Sequence, residues 1–348
     1  MTDISIEEAL KIKDRLFVDV RSPGECNEAS IPGAVNLPLL GDDERAKVGT
    51  LYRHKGPEEA RELGVEFVSP KIPLLMNKIK QLSTQYTVII FCWRGGQRSK
   101  AVCDLAKIME LSVLRLSGGY KAYRRYVNDF LSGPDIPGHS VVLHGLTGVG
   151  KTQILDILAE KDVGVVDLEG MANNRGSVFG AIGLGQQPSQ KMFEARIVEV
   201  LTSPQCATAF AIECESRRIG RLSVPDLVVK AMAEGSHILL YSSMEKRIER
   251  LVEMYAGVAE NTEGLYKAID SLTKRLGKIK TEQLKEQVSQ GDFASVVEYL
   301  LINYYDPLYS YPQEPSNQYP LSVCTDQPDI AAAKITKFMQ DLTCRIEA

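Results

Sequence analysis

The chain has 348 residues, 44% of them hydrophobic, so it can bury ordinary cores and its length favours two domains. A formal net charge of −4 excludes a globally basic nucleic-acid binder but is compatible with a local basic face. The seven cysteines lack zinc-site spacing and no apolar run could span a bilayer. We therefore expect a protein of the reducing cytoplasm, without a structural zinc site and without a membrane partner.

The first 131 residues alternate predicted helices and strands and form the first predicted domain. Strands alternating with helices predict a mostly parallel sheet, whose ligands bind beyond the carboxyl ends of the strands. The helices are expected at residues 5–10, 42–63, 65–82, 97–109 and 121–131, and the strands at residues 16–20, 87–90 and 112–116, with a brief extended segment at 35–38.

A glycine-bearing loop with a cysteine follows the strand at residues 87–90. Five residues separate Cys92 from Arg98, and a helix begins at the end of the loop. Backbone N–H groups, the helix dipole and the guanidinium groups of Arg94 and Arg98 favour a nucleophilic thiolate and an oxyanion beside it. The remaining residues predicted to line this anion site are Trp93, Gly95, Gly96, Gln97, Ser99 and Arg21.

The chemistry of this loop stays open from its residues alone. The same spacing of cysteine and arginine serves cysteine-dependent phosphatases, so phosphate hydrolysis and sulfur or selenium transfer are both compatible with it. Trp93 either stacks on a ligand or covers the loop. Cys26 lies in a loop that could bring it close to Cys92 as a resolving thiol.

Several segments of the first domain together resemble a rhodanese domain. They are residues 19–25, residues 30–38, the cysteine loop and residues 118–120. The resemblance covers roughly residues 1–130 and implies a rhodanese-like parallel-sheet fold. Many single-domain rhodaneses have one residue fewer between cysteine and arginine, so the longer loop here could hold a bulkier ligand than a sulfane sulfur.

A phosphate-binding loop opens the second half of the chain. Residues 132–139 have the glycine and proline content of a linker, and residues 145–152 read Gly-Leu-Thr-Gly-Val-Gly-Lys-Thr between a predicted strand and a predicted helix. This sequence and its context are those of a P-loop, in which backbone N–H groups surround a phosphate. The predicted phosphate-binding residues are Gly145, Thr147, Gly148, Val149, Gly150, Lys151 and Thr152.

Further predicted strands at residues 164–167, 208–213, 237–241 and 321–324 complete a P-loop NTPase-like α/β domain. Residues 140–243 form its core, and residues 244–348 form a mainly helical region that returns to it and is a candidate RNA-binding part. Strand-end carboxylates are candidates for metal or substrate binding, or are ordinary strand-end residues, and Mg²⁺ is a possible cofactor. The carboxylates are Asp167, Glu169, Glu213 and Glu215.

Basic residues at three places and one aromatic segment each have a structural and a functional interpretation. The basic side chains either form solvated surfaces or contact RNA phosphates. The tyrosines at residues 304, 305 and 309 either pack, stack on a base or line a pocket for a hydrocarbon chain. The basic candidates are Arg175, Arg217, Arg218, Arg221, Lys274, Arg275 and Lys278.

The whole chain resembles the bacterial tRNA 2-selenouridine synthases. Besides the two loops, the matching segments are residues 44–52, 167–170, 175–177 and 215–217. The resemblance implies a transferase that replaces sulfur by selenium in the wobble-position 2-thiouridine of tRNA, with selenophosphate as donor. It also implies an S-geranylated intermediate made from geranyl diphosphate, and a tRNA and a selenophosphate-supplying enzyme as partners.

This resemblance suggests a division of labour between the loops. The P-loop is expected to hold the diphosphate of the prenyl donor without ATP hydrolysis. Cys92 is expected to attack selenophosphate and carry the selenium as a perselenide, or else to help expel the geranyl thiol. The alternative is a cysteine-dependent phosphatase or sulfurtransferase fused to an ATP-dependent kinase-like domain, and a regulatory binding module would need neither loop.

Overall fold

The computed structural model describes residues 2–177, 179–256 and 262–346, and it divides into two compact units. The first unit contains Met1–Ser132 together with Pro188–Ala195, and the second contains Gly133–Gln187 and Arg196–Ala348. The sequence-based boundaries leave residues 188–195 in the second domain. In the structure, Lys191 of this segment pairs with Glu28 of the first unit at 2.7 Å.

A five-stranded sheet forms the centre of the first unit. Its strands are β1 (Thr2–Ile4), β2 (Arg15–Asp19), β3 (Val35–Asn36), β4 (Thr87–Phe91) and β5 (Val113–Leu116). Their order is β1-β5-β4-β2-β3, and every neighbouring pair is parallel. The strands predicted around residues 16–20, 87–90 and 112–116 are confirmed, whereas the three residues of β1 are too few to show a periodic pattern.

The helices of the first unit connect or follow these strands along the chain. They are α1 (Ile6–Leu10), α2 (Pro23–Glu28), α3 (Asp42–His54), α4 (Pro57–Val68), α5 (Ile72–Leu82), α6 (Gln97–Ile108) and α7 (Gly119–Leu131). Val102 and Ala106 of α6 join Val88 and Ile90 of β4 in one fully buried cluster. Burying a valine or isoleucine side chain contributes about 1.5–3 kcal/mol, so this cluster fixes α6 on the sheet.

A second parallel sheet organises the second unit. Its strands, with a separate two-stranded hairpin, are β6 (His139–His144), β7 (Gly164–Val166), β8 (Ala209–Glu213), β9 (Arg218–Ile219), β10 (Leu222–Ser223), β11 (Ser236–Tyr241) and β12 (Ser322–Cys324). The sheet order is β12-β11-β6-β8-β7 with parallel pairing throughout, and β9 pairs with β10 antiparallel. The buried central strand β6 leads directly into the P-loop.

The helices of the second unit are α8 (Lys151–Glu160), α9 (Leu168–Ala172), α10 (Gln190–Leu201), α11 (Asp226–Glu234), α12 (Met244–Ala256), α13 (Thr262–Ser271), α14 (Thr273–Leu276), α15 (Lys278–Ser289), α16 (Phe293–Leu300), α17 (Asp306–Tyr309) and α18 (Pro328–Ile346). Helix α10 begins in the segment that clusters with the first unit. The helical region has its own core, which includes Ile269, Leu284 and Leu301. Successive parallel α/β sheets with a helical C-terminal part confirm the predicted fold class.

Both candidate loops lie where a parallel sheet exposes the carboxyl ends of its strands. Cys92 follows β4, and Gly145 follows β6. Among the described helices, none has both the length and the apolar character needed to cross a bilayer.

Candidate active sites

Strand β4 places Cys92 at the carboxyl edge of the first sheet. The side chain is 3% exposed, and its Sγ lies 3.2 Å from the hydroxyl oxygen of Ser99 in the first turn of α6. A hydroxyl at this distance can donate to a thiolate, and so can backbone N–H groups at a helix N-terminus. The structure therefore gives Cys92 a fixed polar partner that lies seven positions away in the chain.

The start of α7 holds the Cys92 loop in place. The backbone N–H of Tyr120 donates to the Cys92 carbonyl at 2.9 Å, and that of Lys121 donates to the Trp93 carbonyl at 2.9 Å. Gly119 has a φ of +57°, and a Cβ atom there would overlap the Cys92 carbonyl oxygen. Glycine is therefore required where these two loops meet.

The rim of the Cys92 loop is open to solvent. Arg94, Gly96 and Gln97 are exposed, and Trp93 is 39% exposed. The ring of Trp93 packs on that of Tyr120 with 5.6 Å between centroids. Trp93 thus covers one side of the loop while part of its surface remains available to a ligand.

Arg98 reaches the site as part of an ion pair. Its Nη1 lies 2.6 Å from Glu25 Oε2, and Arg45 approaches the same carboxylate at 3.6 Å. Burial acts to raise the pKa of Glu25, but the hydrogen bond and charge of Arg98 outweigh it, so this pKa lies below its usual value. Glu25 uses the two terminal nitrogens of Arg98, which leaves other guanidinium donors for an anion.

Arg21 has a different role from the predicted one. Its side chain is 1% exposed, its Nε and Nη2 donate to Asp19, and its Nη2 also donates to the Ala29 carbonyl at 2.8 Å. The guanidinium lies 4.3 Å from the Tyr120 ring centroid. An enclosed cation with these partners organises the turn after β2, so the structure removes Arg21 from the residues that an anion could contact.

The P-loop connects β6 to α8 in the second unit. Gly148 and Gly150 have φ values of +81° and +87°, in the left-handed region that favours glycine. Lys151 Nζ donates to the Gly145 carbonyl at 3.1 Å, which places the ammonium group across the loop. Backbone N–H groups that converge at the start of α8, together with this charge, form an anion site.

Two arginines of α12 donate hydrogen bonds to backbone carbonyls of the P-loop. Arg247 is 2% exposed, donates to the Thr147 carbonyl at 2.8 Å and pairs with Asp306 at 2.5 Å. Arg250 donates to the Val149 carbonyl at 3.2 Å. Neither arginine is predicted as a site residue from the sequence, because both lie about a hundred positions beyond the loop in a charged helix that suggests a solvated surface.

Three glutamates form a compact acidic cluster. In the part of the chain that the structure describes, carboxylate oxygens of Glu169, Glu213 and Glu215 lie within 4.8 Å of one another. Among the same residues, Glu213 Oε2 finds no hydrogen-bond partner, although the side chain is 0% exposed. Burial, and then Glu215, raise the pKa of Glu169 to about 8. The cluster therefore offers converging carboxylate oxygens to protons or to a hard cation, whereas Asp167 caps α9 instead of joining it.

A cavity of about 590 Å³ opens over the P-loop. Lys151 and Thr152 line it, as do Glu169 and Glu215. An apolar pocket adjoins the cavity and shares Thr147, Ser177, Leu251 and Tyr255 with it. The helical region supplies further apolar lining from Leu265, Ile269, Val288, Val297, Leu300 and Tyr305. A phosphate-binding surface and an apolar pocket are thus adjacent within one unit.

Comparison with known proteins extends over nearly the whole chain. The family model of the tRNA 2-selenouridine synthase AAA domain matches residues 138–339, and that of the rhodanese-like domain matches residues 5–126. A tRNA 2-selenouridine synthase of Pseudomonas fluorescens (strain Pf0-1) is 34% identical over 344 residues, which cover 90% of this chain and 92% of the relative. The protein of the same name from Marinobacter nauticus is 35% identical, covering 87% and 89%.

The chain belongs to the tRNA 2-selenouridine synthase family. The predicted order, a rhodanese-like domain followed by a P-loop α/β domain, is confirmed by the two family models. The Cys92 loop lies within the rhodanese-like match, and the P-loop and the acidic cluster lie within the synthase AAA match.

The basic residues predicted to contact RNA fall at three places in this synthase-family chain. Arg175 lines the P-loop cavity and donates to the Ile182 carbonyl at 3.1 Å. Arg217, Arg218 and Arg221 cluster at the β9–β10 hairpin, where Arg217 is 72% exposed and pairs with Asp226. The third group, Lys274, Arg275 and Lys278, lies in α14 and at the start of α15. An RNA contact for any of them stays a prediction.

Proposed function

We propose that this chain replaces sulfur by selenium in the wobble 2-thiouridine of tRNA, with selenophosphate and geranyl diphosphate as co-substrates. Family membership supports tRNA 2-selenouridine synthesis as the overall reaction. The second unit transfers the geranyl group and the first unit handles selenium. The observation that carries the geranyl assignment is the apolar pocket beside the P-loop.

The P-loop binds the diphosphate of the prenyl donor in this proposal. Its backbone N–H groups and Lys151 neutralise the charge that grows on the diphosphate as the carbon–oxygen bond breaks. The cluster of Glu169, Glu213 and Glu215 suits a Mg²⁺ ion, because carboxylate oxygens converge there and the buried Glu213 Oε2 lacks a partner among the described residues. Bound Mg²⁺ would supply further neutralisation of the leaving diphosphate.

The apolar pocket takes the hydrocarbon chain of the donor. Its open volume is about 50 Å³, so side chains such as Leu265 and Val297 must move to admit ten carbons. The substitution Val297→Phe should fill the pocket further. It should lower the rate of transfer from geranyl diphosphate more than the rate of transfer from the five-carbon donor dimethylallyl diphosphate. Equal losses for the two donors would contradict this use of the pocket.

Alkylation prepares the base for selenium. The C2=S group of 2-thiouridine is a poor leaving group, whereas an S-geranyl group leaves as a thiol when selenide attacks C2. The geranyl transfer in the second unit therefore precedes the selenium step.

Redox balance favours phosphorus as the atom that Cys92 attacks. Attack on selenium would give a perselenide and phosphite, and a reducing thiol would be needed in each turnover. Attack on phosphorus breaks the P–Se bond, gives S-phosphocysteine and hydrogen selenide, and ends in phosphate after hydrolysis, with no change of oxidation state. The five-residue spacing to Arg98 and the Ser99 hydroxyl at 3.2 Å support this route. Burial and Asp19 raise the pKa of the Cys26 thiol, which disfavours it as a resolving thiolate.

Reconstitution tests the proposal directly. Purified protein is incubated with 2-thiouridine-containing tRNA and geranyl diphosphate, then with selenophosphate, and nucleosides are measured by mass spectrometry while ³¹P NMR follows phosphorus. We expect S-geranyl-2-thiouridine, then selenouridine with phosphate, and no requirement for ATP. Unchanged nucleosides with ATP hydrolysis would favour the kinase-like alternative instead, and phosphite as product would restore the perselenide route.

A further inference from the structure

A series of close polar contacts runs from the P-loop cavity to the partly buried His237. His144 is the last residue of β6 and directly precedes the P-loop. Its Nε2 lies 2.6 Å from His237 Nδ1, and its Nδ1 lies 3.2 Å from the Tyr311 hydroxyl. Tyr311 lines the cavity, as does Cys214, whose Sγ lies 3.7 Å from the same hydroxyl. The cavity is thereby connected to a residue that water can reach.

The contacts of His237 at the far end of this series allow the protons to be assigned. His237 Nε2 lies 3.4 Å from the Ala233 carbonyl, which can only accept, so we assign the proton of neutral His237 to this nitrogen. In neutral His237, Nδ1 then accepts from His144 Nε2. The remaining nitrogen of His144 must accept the hydroxyl proton of Tyr311. The imidazole nitrogen at 3.2 Å is also a better acceptor than the Cys214 sulfur at 3.7 Å.

Tyr311 consequently presents oxygen lone pairs, and not its proton, to the cavity. The contacts between Tyr311, His144 and His237 are therefore arranged to take a proton from a cavity ligand and not to give one. This direction excludes Tyr311 as the acid that protonates a leaving diphosphate.

The charge states agree with this arrangement. Burial, and then the neighbouring His237 and Lys151, lower the pKa of His144 to about 4, so His144 is neutral at physiological pH. Burial, followed by Cys214, raises the pKa of Tyr311, so Tyr311 keeps its proton until another proton replaces it. The further groups that face the Tyr311 hydroxyl are Tyr319 and Glu215.

We propose that Tyr311 accepts the proton that S-alkylation of 2-thiouridine releases, and that His144 and His237 pass a proton on to solvent. This inference rests on the proposed geranyl transfer. As sulfur bonds to C1 of the geranyl group and diphosphate leaves, the alkylated base is cationic and its N3–H becomes acidic. The N3 proton moves to the Tyr311 oxygen, and the hydroxyl proton moves to His144 Nδ1.

The remaining transfers complete the balance. The Nε2 proton of His144 moves to His237 Nδ1, and His237 releases its own Nε2 proton to water. After the product leaves, water protonates His237 Nε2 and the shifts run back to Tyr311, which releases a proton to water in the emptied cavity, so that the starting tautomers are restored. The base is left neutral as S-geranyl-2-thiouridine, and one proton per alkylation has reached solvent. Tyr311 is the catalytic residue of this step, because it contacts the base, and the two histidines act through it.

The test compares two variants by single-turnover geranyl transfer in mixtures of H₂O and D₂O. Tyr311→Phe keeps the ring and removes the hydroxyl, and we expect transfer about 10²-fold slower with unchanged binding of inorganic diphosphate. The wild-type rate should depend on the deuterium fraction along a curve, because several protons move together, and this curvature should be lost in the variant. His237→Ala should also be slower and should regain rate when imidazole is added.

Tyr241→Phe is the matched control. Tyr241 is the last residue of β11 and belongs neither to the described lining of the P-loop cavity nor to the groups that face the Tyr311 hydroxyl, so rate and isotope curve should stay as in the wild type. The proposed proton transfer through Tyr311 and the two histidines is overturned if wild-type protein alkylates tRNA while Tyr311→Phe and His237→Ala both keep its rate. It is also overturned if they are slower but keep the isotope curve and ignore imidazole. A wild-type protein that fails to alkylate tRNA would instead overturn the proposed function.

Discussion

The Cys92 loop and the P-loop have the same strand–loop–helix geometry but are stabilised by different contacts. Each follows a buried parallel strand and precedes a helix, β4 and α6 in one case and β6 and α8 in the other. Backbone N–H groups at the start of α7 hold the Cys92 loop. Side chains of Arg247 and Arg250 hold the P-loop. The same strand–loop–helix geometry is thus stabilised by neighbouring backbone in one unit and by distant side chains in the other.

The difference teaches that this geometry supplies only a general affinity for anions. Backbone donors at a helix N-terminus bind an anion in either loop. The side chains then decide the chemistry: Cys92 with Ser99 offers a nucleophile, whereas Lys151 and the three glutamates offer charge and metal ligands. Mutations should therefore affect covalent chemistry and leaving-group stabilisation separately. The variants below are ordered from the largest expected effect to the smallest.

Replacing the nucleophile should separate the loops most sharply. In Cys92→Ser we expect selenouridine formation to fall by about 10³-fold or more, because a hydroxyl does not replace the thiolate, while geranylated tRNA accumulates. Mass spectrometry of tRNA nucleosides measures both products. The control is Cys103→Ala, a second buried cysteine of the first unit, which should retain both products. Normal selenation by Cys92→Ser would contradict the assigned role.

Removing the P-loop cation should give the reverse pattern. In Lys151→Ala we expect geranyl transfer to fall by about 10²–10³-fold, because a charge that stabilises the leaving diphosphate is lost. The same variant should still selenate tRNA that is supplied already geranylated. Lys161→Ala, at the other end of α8, is the control. Full geranyl transfer by Lys151→Ala would contradict the assignment of the donor's diphosphate to the P-loop.

The acidic cluster should make the stability of metal-free protein depend on pH. The pKa of Glu169 rises from 4.5 to about 8 in the folded protein, so folding retains a proton that the unfolded chain releases between these values. The free energy of unfolding should therefore fall as pH rises through this window, by up to about 1.4 kcal/mol per unit.

Urea unfolding between pH 5 and 8 measures this slope. Glu169→Gln should flatten it, whereas substitution of the exposed Glu160 by glutamine should not. Mg²⁺ should restore stability towards pH 8, where it replaces the proton. An equal slope in Glu169→Gln would contradict the assignment.

The smallest expected effect concerns the backbone clamp, that is, the hydrogen bonds from the start of α7 to the carbonyls of the Cys92 loop. Gly119→Ala forces a Cβ atom against the Cys92 carbonyl at a φ of +57°, and we expect a destabilisation of about 1–3 kcal/mol. Thermal unfolding measures the change. Gly64→Ala in α4, where no described atom lies within 4 Å of the added Cβ, should be neutral or stabilising. Geranyl transfer should survive in both variants, and equal stabilities would contradict the clamp.

The sequence by itself determined the features that depend on short-range patterns. Buried β-branched runs such as Val88–Ile90 predicted strands, and the glycine spacing of residues 145–152 predicted a phosphate loop. The residues carrying the thiol and the P-loop ammonium group were identified in the same way, because both loops are continuous in the chain.

Only the tertiary structure decided which distant side chains complete or leave the sites. Packing buried Arg21 against Asp19 and Tyr120, which withdrew a predicted anion ligand. The fold brought Arg247 to the P-loop and Tyr311 to His144 across more than ninety positions, and it made Asp167 the cap of α9, outside the group of three glutamates. No local pattern encodes these contacts, because burial and charge pairing between remote segments arise only when the sheets and helices pack.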